Sequence, residues 1–301
     1  WSRETLARLL HATGPVVALG AVFTLARFSP AFLVLRAGQA GVPVALVPLL
    51  VVAMNAVQAA ASYPAGRLSD RIRPARLLAV GMGCLLASDI VLALETDRWW
   101  TERLAELLPE HPHRLLHPLD NTYGMALFSR LELARAELRF LLDAAIPSLR
   151  ARVRLRSGEE IVLIGVHPEP PSPTEADSSL PRDAELVLVG REIGREQGPV
   201  IVAGDLNDVA WSRTSRLFQR LSGTVDPRIG RGFLNSFDAT RRWLRWPLDH
   251  VFYTPDFLVR ELRRLPAFGS DHFPILIELE YHPRAAARQE VEEADHADHR
   301  E

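Results

Sequence analysis

Short polar motifs punctuate this chain where its apolar runs end. Glu95 follows Ile90–Leu94, His167 follows Ile161–Val166, and Asp205 and Asn207 follow Val200–Ala203. Asp249 lies inside Pro247-Leu248-Asp249-His250-Val251-Phe252, and Asp271-His272 stand just before the last apolar run, Phe273–Leu279. Cleaving a phosphate ester has definite needs. A carboxylate must hold a hard cation, a base must take a proton from water, and donors must meet the charge growing on the phosphoryl oxygens. Carboxylate, amide and imidazole groups converging on one sheet edge supply that set. Each residue taken alone reads equally well as a cap or a turn; the convergence carries the inference.

The elements that must position these groups are legible in the last two thirds of the chain. Ala151, Val153 and Leu155 alternate with Arg152, Arg154 and Arg156, the pattern of a half-buried strand, and Ser157-Gly158-Glu159-Glu160 turns it into an apolar strand at Ile161–Val166. After a Pro- and Ser-rich loop, Asp183–Arg195 sets Leu186, Val189 and Ile193 on one helical face. Pro199–Ala203 reads as a buried strand running into Gly204-Asp205-Leu206-Asn207, and Ser212 caps a short helix ending near Leu221. Further strands are expected at Met125–Phe128, Leu248–Thr254, Leu258–Leu265 and Phe273–Leu279.

Charge divides the 301 residues unevenly. Positions 1–94 hold 11 charged residues and the remaining 207 hold 61, with net charges of +5 and −7. Two physically different segments are implied. The single cysteine, Cys84, excludes a disulfide framework and a multi-cysteine zinc site, and all 35 basic residues are Arg, which excludes lysine chemistry. The acidic C-terminal segment argues against a broad non-specific DNA surface, although eight Arg lie between Arg213 and Arg245.

The first segment reads as membrane helices. Val16–Leu35, Val42–Ala61 and Leu77–Leu94 are nearly free of charge and each is long enough to cross a bilayer core. The Arg-rich loop 66–76, containing Gly66-Arg67-Leu68-Ser69-Asp70-Arg71, belongs on the cytoplasmic side by the positive-inside rule. This loop and the helix carrying Arg27, Ser29 and Pro30 resemble the major facilitator superfamily of transporters over about residues 10–94. Three such helices cannot form the two halves between which those transporters bind substrate.

Leu94-Glu95-Thr96, Gly165-Val166-His167-Pro168, Gly204-Asp205-Leu206-Asn207 and Ser270-Asp271-His272 together resemble the endonuclease/exonuclease/phosphatase superfamily over about residues 89–281. The resemblance implies an α+β fold, a four-layer αββα sandwich with the site at the top of two sheets. It assigns Glu95 to a Mg²⁺ ion, with Mn²⁺ as a substitute. His167 would donate to phosphate, Asp205 would position water and Asn207 would hold phosphate. Asp249 would support the site, and Asp271 would orient His272 as general base. Tyr123, in Asn121-Thr122-Tyr123-Gly124, is a candidate substrate contact.

One family feature is missing from this reading. The family opens with a strand ending in Asn, and the sole Asn ahead of Glu95 is Asn55, inside an uncharged apolar run. The expected organisation is therefore a transporter-like transmembrane segment (1–88), a hydrolase domain lacking its first strand (89–281) and a disordered acidic tail (282–301). The expected function is a membrane-tethered, Mg²⁺-dependent phosphoester hydrolase impaired by that loss. Its partners would be a phosphoester (nucleic acid, lipid or sugar phosphate) and a bacterial-type cell membrane, with no protein partner evident. The alternative is a non-catalytic transporter-related remnant or fusion product. Ile90–Leu94 is claimed both by the third span and by the strand that delivers Glu95, and one segment cannot adopt both geometries.

Overall fold

The computed structural model describes residues 83–84, 86–172, 178–232, 234–241, 243–285, 289 and 298. The chain divides into two compact units, 1–76 with 228–232 and 77–227 with 233–301. The elements below belong to the second unit. The expected spans at 16–35 and 42–61, Arg27, Asn55 and the 66–76 loop lie outside the described residues.

Ten strands and three helices alternate along the described chain. A three-stranded antiparallel sheet has the order β1 (Ile90–Leu94), β3 (Met125–Ser129), β2 (His113–His117). A five-stranded sheet runs β4 (Glu132–Arg139), β5 (Ser148–Arg154), β6 (Glu160–Val166), β7 (Val200–Asp205), β8 (Asp249–Tyr253). β9 (Phe257–Arg264) and β10 (Ile275–Tyr281) form an antiparallel pair. The helices are α1 (Arg98–Leu107), α2 (Leu180–Ile193) and α3 (Arg213–Ser222). In the five-stranded sheet only β6 and β7 are parallel, joined by the crossover through α2.

Side-chain alternation sorts these elements into four layers. Met125 and Leu127 of β3 meet Leu149, Ala151, Val153, Ile161 and Leu163 of the larger sheet, with Ile90, Leu92 and Leu94 packed beside them. The opposite face of the small sheet, Val91, Ala126 and Phe128, is covered by Leu104 and Leu108 at α1. The opposite face of the large sheet, Val162, Ile164, Val200 and Val202, is covered by Leu186, Val189 and Ile193 of α2 and Phe218 of α3. The period of two along each strand thus feeds two cores at once, and each fully buried Leu, Ile or Phe contributes roughly 1.5–3 kcal/mol. The result is a mixed, sheet-rich α+β sandwich with helices on its outer faces.

This packing decides the segment with two claims. Ile90–Leu94 is a strand, in register with β3 from Ile90↔Ser129 to Leu94↔Met125. The third apolar span therefore does not extend to Leu94, and among the described residues no helix is long and apolar enough to cross a membrane. Its five residues alternate between two cores, a demand that a lipid-facing helix would not make. The helix α1 is not among the expected elements; Asp97 caps it by accepting from the Trp100 amide at 2.7 Å. In the tail, Gln289 donates to the Pro255 and Phe257 carbonyls and Asp298 pairs with Arg220.

Candidate active site

Strand register brings the polar motifs to one end of the two sheets. Leu94 pairs with Met125, so Glu95 leaves β1 beside Tyr123-Gly124 entering β3. Val166 pairs with Gly204, so His167 and Asp205 emerge side by side from parallel strands. Asp205 and Asp249 are directly opposite in the antiparallel β7–β8 pair, which points both carboxylates to one face. His272 precedes β10 and is joined by backbone bridging to Phe237, whose ring lies 4.9 Å from the imidazole.

Two glycines let the backbones approach. A Cβ on Gly204, at φ +154°, would sit 1.9 Å from the Val166 carbonyl oxygen. A Cβ on Gly124 would sit 2.0 Å from the Thr96 oxygen, where Thr96 and Gly124 are hydrogen-bonded. Glu95 and Asn207 adopt φ of 55° and 50°, conformations that non-glycine residues visit sparingly and that are concentrated at functional sites.

Asp249, His272 and Asp205 form a chain. Asp249 Oδ2 lies 2.7 Å from His272 Nδ1, and His272 Nε2 lies 3.5 Å from Asp205 Oδ2. Asp205 is buried, and its Oδ1 accepts from the Asn207 amide at 2.8 Å. His167 Nε2 lies 4.0 Å from Asp205 Oδ2 and 3.8 Å from Glu95 Oε1, linking the two sheets. The Asn207 side chain donates to the Pro168 carbonyl at 3.0 Å, and the Tyr123 ring centroid is 5.8 Å from that of His167.

All the expected site residues are therefore brought to one end of the sheets, with one correction of partner. Asp271 does not hold the His272 ring. It is exposed, and Nδ1 is taken by Asp249 while Nε2 faces Asp205. Asp271 acts instead through its backbone, accepting from the Ala239 amide at 2.6 Å. Ser236, which no sequence motif singles out, fastens the same corner. Its hydroxyl accepts from the Asp249 amide at 3.0 Å and its carbonyl accepts from the Phe273 amide at 2.8 Å.

The electrostatics follow from this packing. Burial pushes the Asp205 carboxyl up to about 6, reinforced by the facing Asp249 charge and opposed by His167, His272 and the Asn207 amide. Burial alone would lower the His272 pKa. The Asp249 hydrogen bond and charge, with Asp205 and Asp271, outweigh it and raise the imidazole to about 9. The donor set suits a hard cation: Asp205, Asp249 and His272 bring ligand atoms within 4.8 Å of one another, and the Glu95 carboxylate lies across His167. Because His272 favours its protonated form, the oxygen donors of Glu95 and Asp205 are the better match to a hard ion.

A two-sheet sandwich with carboxylates, imidazoles and an amide gathered at its strand ends defines a site of the phosphoester-hydrolase class. Residues 55–272 match the Endonuclease/Exonuclease/phosphatase family, and the chain belongs to it. The match begins 34 residues ahead of the boundary expected at 89. Solved structures agree in fold. The mannosyl-6-phosphatase Bt3783 of Bacteroides thetaiotaomicron VPI-5482 is 19% identical with a TM-score of 0.53, over 69% of this chain and 90% of that one. D. rerio TDP2 complexed with a single-strand DNA product is 19% identical with a TM-score of 0.56, over 69% and 91%. The human Nocturnin catalytic domain with bound sulfate is 18% identical with a TM-score of 0.53, over 69% and 86%. A UPF0294 protein of Klebsiella pneumoniae (strain 342) is 38% identical over 95 residues, 31% of this chain. The match spans about a third of that curated relative, 34% of its length.

Proposed function

We propose that the chain is a divalent-metal-dependent phosphoester hydrolase whose attacking water is activated by the Asp205–His272–Asp249 chain. The observation that carries this reading is that chain itself: 2.7 Å from Asp249 to Nδ1 and 3.5 Å from Nε2 to a buried carboxylate. Asp249 fixes the ring so that Nε2 faces the position where Asp205 would hold water. In its neutral form, whose share grows as pH rises toward 9, the His272 imidazole accepts the water proton beside Asp205, and His167 and the Asn207 amide group meet the phosphoryl oxygens. Tyr123, against His167, lines the substrate side. Glu95 and Asp205 would hold Mg²⁺, or Mn²⁺ in its place. The chemistry such an ion supplies is positive charge that offsets the phosphoryl oxygens and opposes a second positive charge on His272.

The apolar runs 16–35 and 42–61 support a further part of the reading, a membrane tether with transporter-like character. The placement of Asn55, the missing first strand and any fusion between segments belong to that same proposal. For substrate, one relative in shape is named a mannosyl-6-phosphatase and another carries a single-strand DNA product, so sugar phosphate and nucleic acid are the two classes to assay.

The test is hydrolysis of supercoiled plasmid, a nitrophenyl phosphodiester and a hexose phosphate by the purified chain in detergent. Mg²⁺-dependent turnover that EDTA and His272→Ala both abolish is expected. A cooperatively melting protein with no turnover on any of them, with Mg²⁺ or Mn²⁺, overturns the reading.

A further inference from the structure

Behind the site lies a buried charged cluster that the proposed chemistry does not use. Arg182 occupies the first turn of α2, where its positive charge opposes the helix dipole, so local helix energetics do not favour it there. Its side chain is only 11% exposed. Nη1 donates to the Asn207 carbonyl at 2.6 Å and lies 3.6 Å from Asp208 Oδ1, while Nε and Nη2 both donate to Asp183 Oδ1, at 2.9 and 2.7 Å. Asp208 is itself fixed: its Oδ2 accepts from Ser212 and from Ser215, the latter at 2.9 Å, and its carbonyl lies 2.8 Å from His250 Nε2.

Asn207 is the residue this arrangement constrains. It holds φ 50°, its amide donates to Asp205 Oδ1 and its side chain donates to the Pro168 carbonyl. The guanidinium grips the carbonyl on the other side of the same residue, so Asn207 is held at its amide, its side chain and its carbonyl at once, and a change of its backbone dihedrals must break at least one of the three contacts. Asp183, which also accepts from Ser179 Oγ at 2.9 Å, anchors the other edge of the fork to the helix start. A planar fork places its donors on three nitrogens in fixed directions, whereas an ammonium gathers them on one and cannot reach the Asn207 carbonyl and Asp183 in the same geometry.

We propose that Arg182 is a positioning residue that locks Asn207, and through its amide Asp205, into the hydrolytic geometry. The inference rests on the hydrolase reading above for its catalytic consequence, and on the backbone contacts alone for the lock. The test compares Arg182→Ala and Arg182→Lys with the parent chain, reading three quantities. Amide exchange at Asn207 reads the lock directly, with Leu206, bonded to the Leu248 carbonyl at 3.0 Å, as internal control. A melt reads folding. Steady-state kinetics read kcat against KM, with and without added guanidinium.

The expected result is faster exchange at Asn207 but not at Leu206 in Arg182→Ala. It is accompanied by a kcat reduced about 10- to 100-fold with KM within about twofold, as for a misplaced catalytic group. Guanidinium restores part of the rate. Arg182→Lys keeps the charge and the melting temperature yet retains the kcat defect. Full kcat in either variant overturns the proposal, as does unchanged Asn207 exchange. If the parent chain hydrolyses nothing, the hydrolase reading fails by itself, and exchange at Asn207 still decides the lock. Should Arg182→Ala fail to fold, Arg182→Lys carries the same decision.

Discussion

On the five-stranded sheet, Asp205 and Asp249 are held by direct strand register and the Asn207 amide, and His272, arriving just ahead of β10, is tied to Asp249 by a 2.7 Å hydrogen bond. At the end of the three-stranded sheet, Glu95 faces His167 across 3.8 Å, with 51% of its side chain exposed. The contrast matches two kinds of work. Proton transfer needs atoms fixed to within a fraction of an ångström before substrate arrives, whereas an ion and a phosphate must enter from solvent and leave again. Under the proposed reading, the closed side serves the first task and the open side the second.

The largest effects should come from breaking the closed side. Removing the His272 imidazole with His272→Ala should lower kcat by about 10²- to 10⁴-fold, the range for a lost general base. Asp249→Asn should follow closely and also report on the ring itself. Without the carboxylate, burial is no longer outweighed, and the His272 titration followed by NMR should fall from about 9. An imidazole that titrates unchanged in Asp249→Asn would remove Asp249 as its partner.

Glu95→Gln tests the open side. Because about half of the Glu95 side chain is exposed to solvent, the substitution should leave the metal-free melt nearly unchanged. It should abolish the stabilisation by saturating Mg²⁺, which amounts to about 2.7 kcal/mol at a hundredfold excess over Kd. Equal Mg²⁺ stabilisation in both proteins would place the ion elsewhere.

The sequence made one side more legible than the other for a physical reason. Motifs at strand ends are local, so Glu95, His167, Asp205 and Asn207 could be placed from apolar runs of four to six residues. Partnership is not local. Asp271 adjoins His272 in the chain and so looks like its partner, yet its side chain is exposed at a bend, and Asp249 arrives from 23 residues away. Arg182 leaves one faint sign, a cation in the first turn of a helix. Ile90–Leu94 is ambiguous in sequence because an apolar run of five can end a span or cross a sheet. Its pairing with β3 and the Asp89–Arg156 ion pair, 67 residues apart, resolve it.

Glycine substitutions sharpen the comparison at a smaller scale. Gly204→Ala forces a Cβ against the Val166 carbonyl on the closed side, and Gly124→Ala does the same against Thr96 on the open side. Each should cost about 2–3 kcal/mol of stability, as overpacking against backbone does. They should differ in what survives. A folded Gly204→Ala protein should lose turnover in greater proportion than Mg²⁺ stabilisation, because Glu95 is left in place, and a folded Gly124→Ala protein should show the reverse. Identical profiles would mean that the two sides act as one unit.

The smallest effect lies outside both sides and guards the others against misreading. Glu185 of α2 is 5% exposed, and burial pushes its carboxyl up to about 7 against the attraction of Arg139. A carboxyl whose folded pKa exceeds its unfolded value of 4.5 binds more protons when folded between those limits. The Glu185 contribution to stability therefore falls as pH rises from 4.5 to about 7, the opposite of a salt-bridged acid. Glu185→Gln, uncharged throughout, should equal the parent chain near pH 4.5 and exceed it above pH 7 by on the order of 1–2 kcal/mol. Each tenfold change in proton affinity between the folded and unfolded chain is worth about 1.36 kcal/mol, and the lost attraction to Arg139 offsets part of the gain. Denaturant melts across that range check it. If kcat in Glu185→Gln keeps the parent pH profile while the stability profile flattens, the two dependences have separate origins, and any pH optimum belongs to Asp205 and His272. A parent protein whose stability rises from pH 4.5 to 7 in step with the variant would show that Glu185 ionises freely and that burial does not hold it neutral.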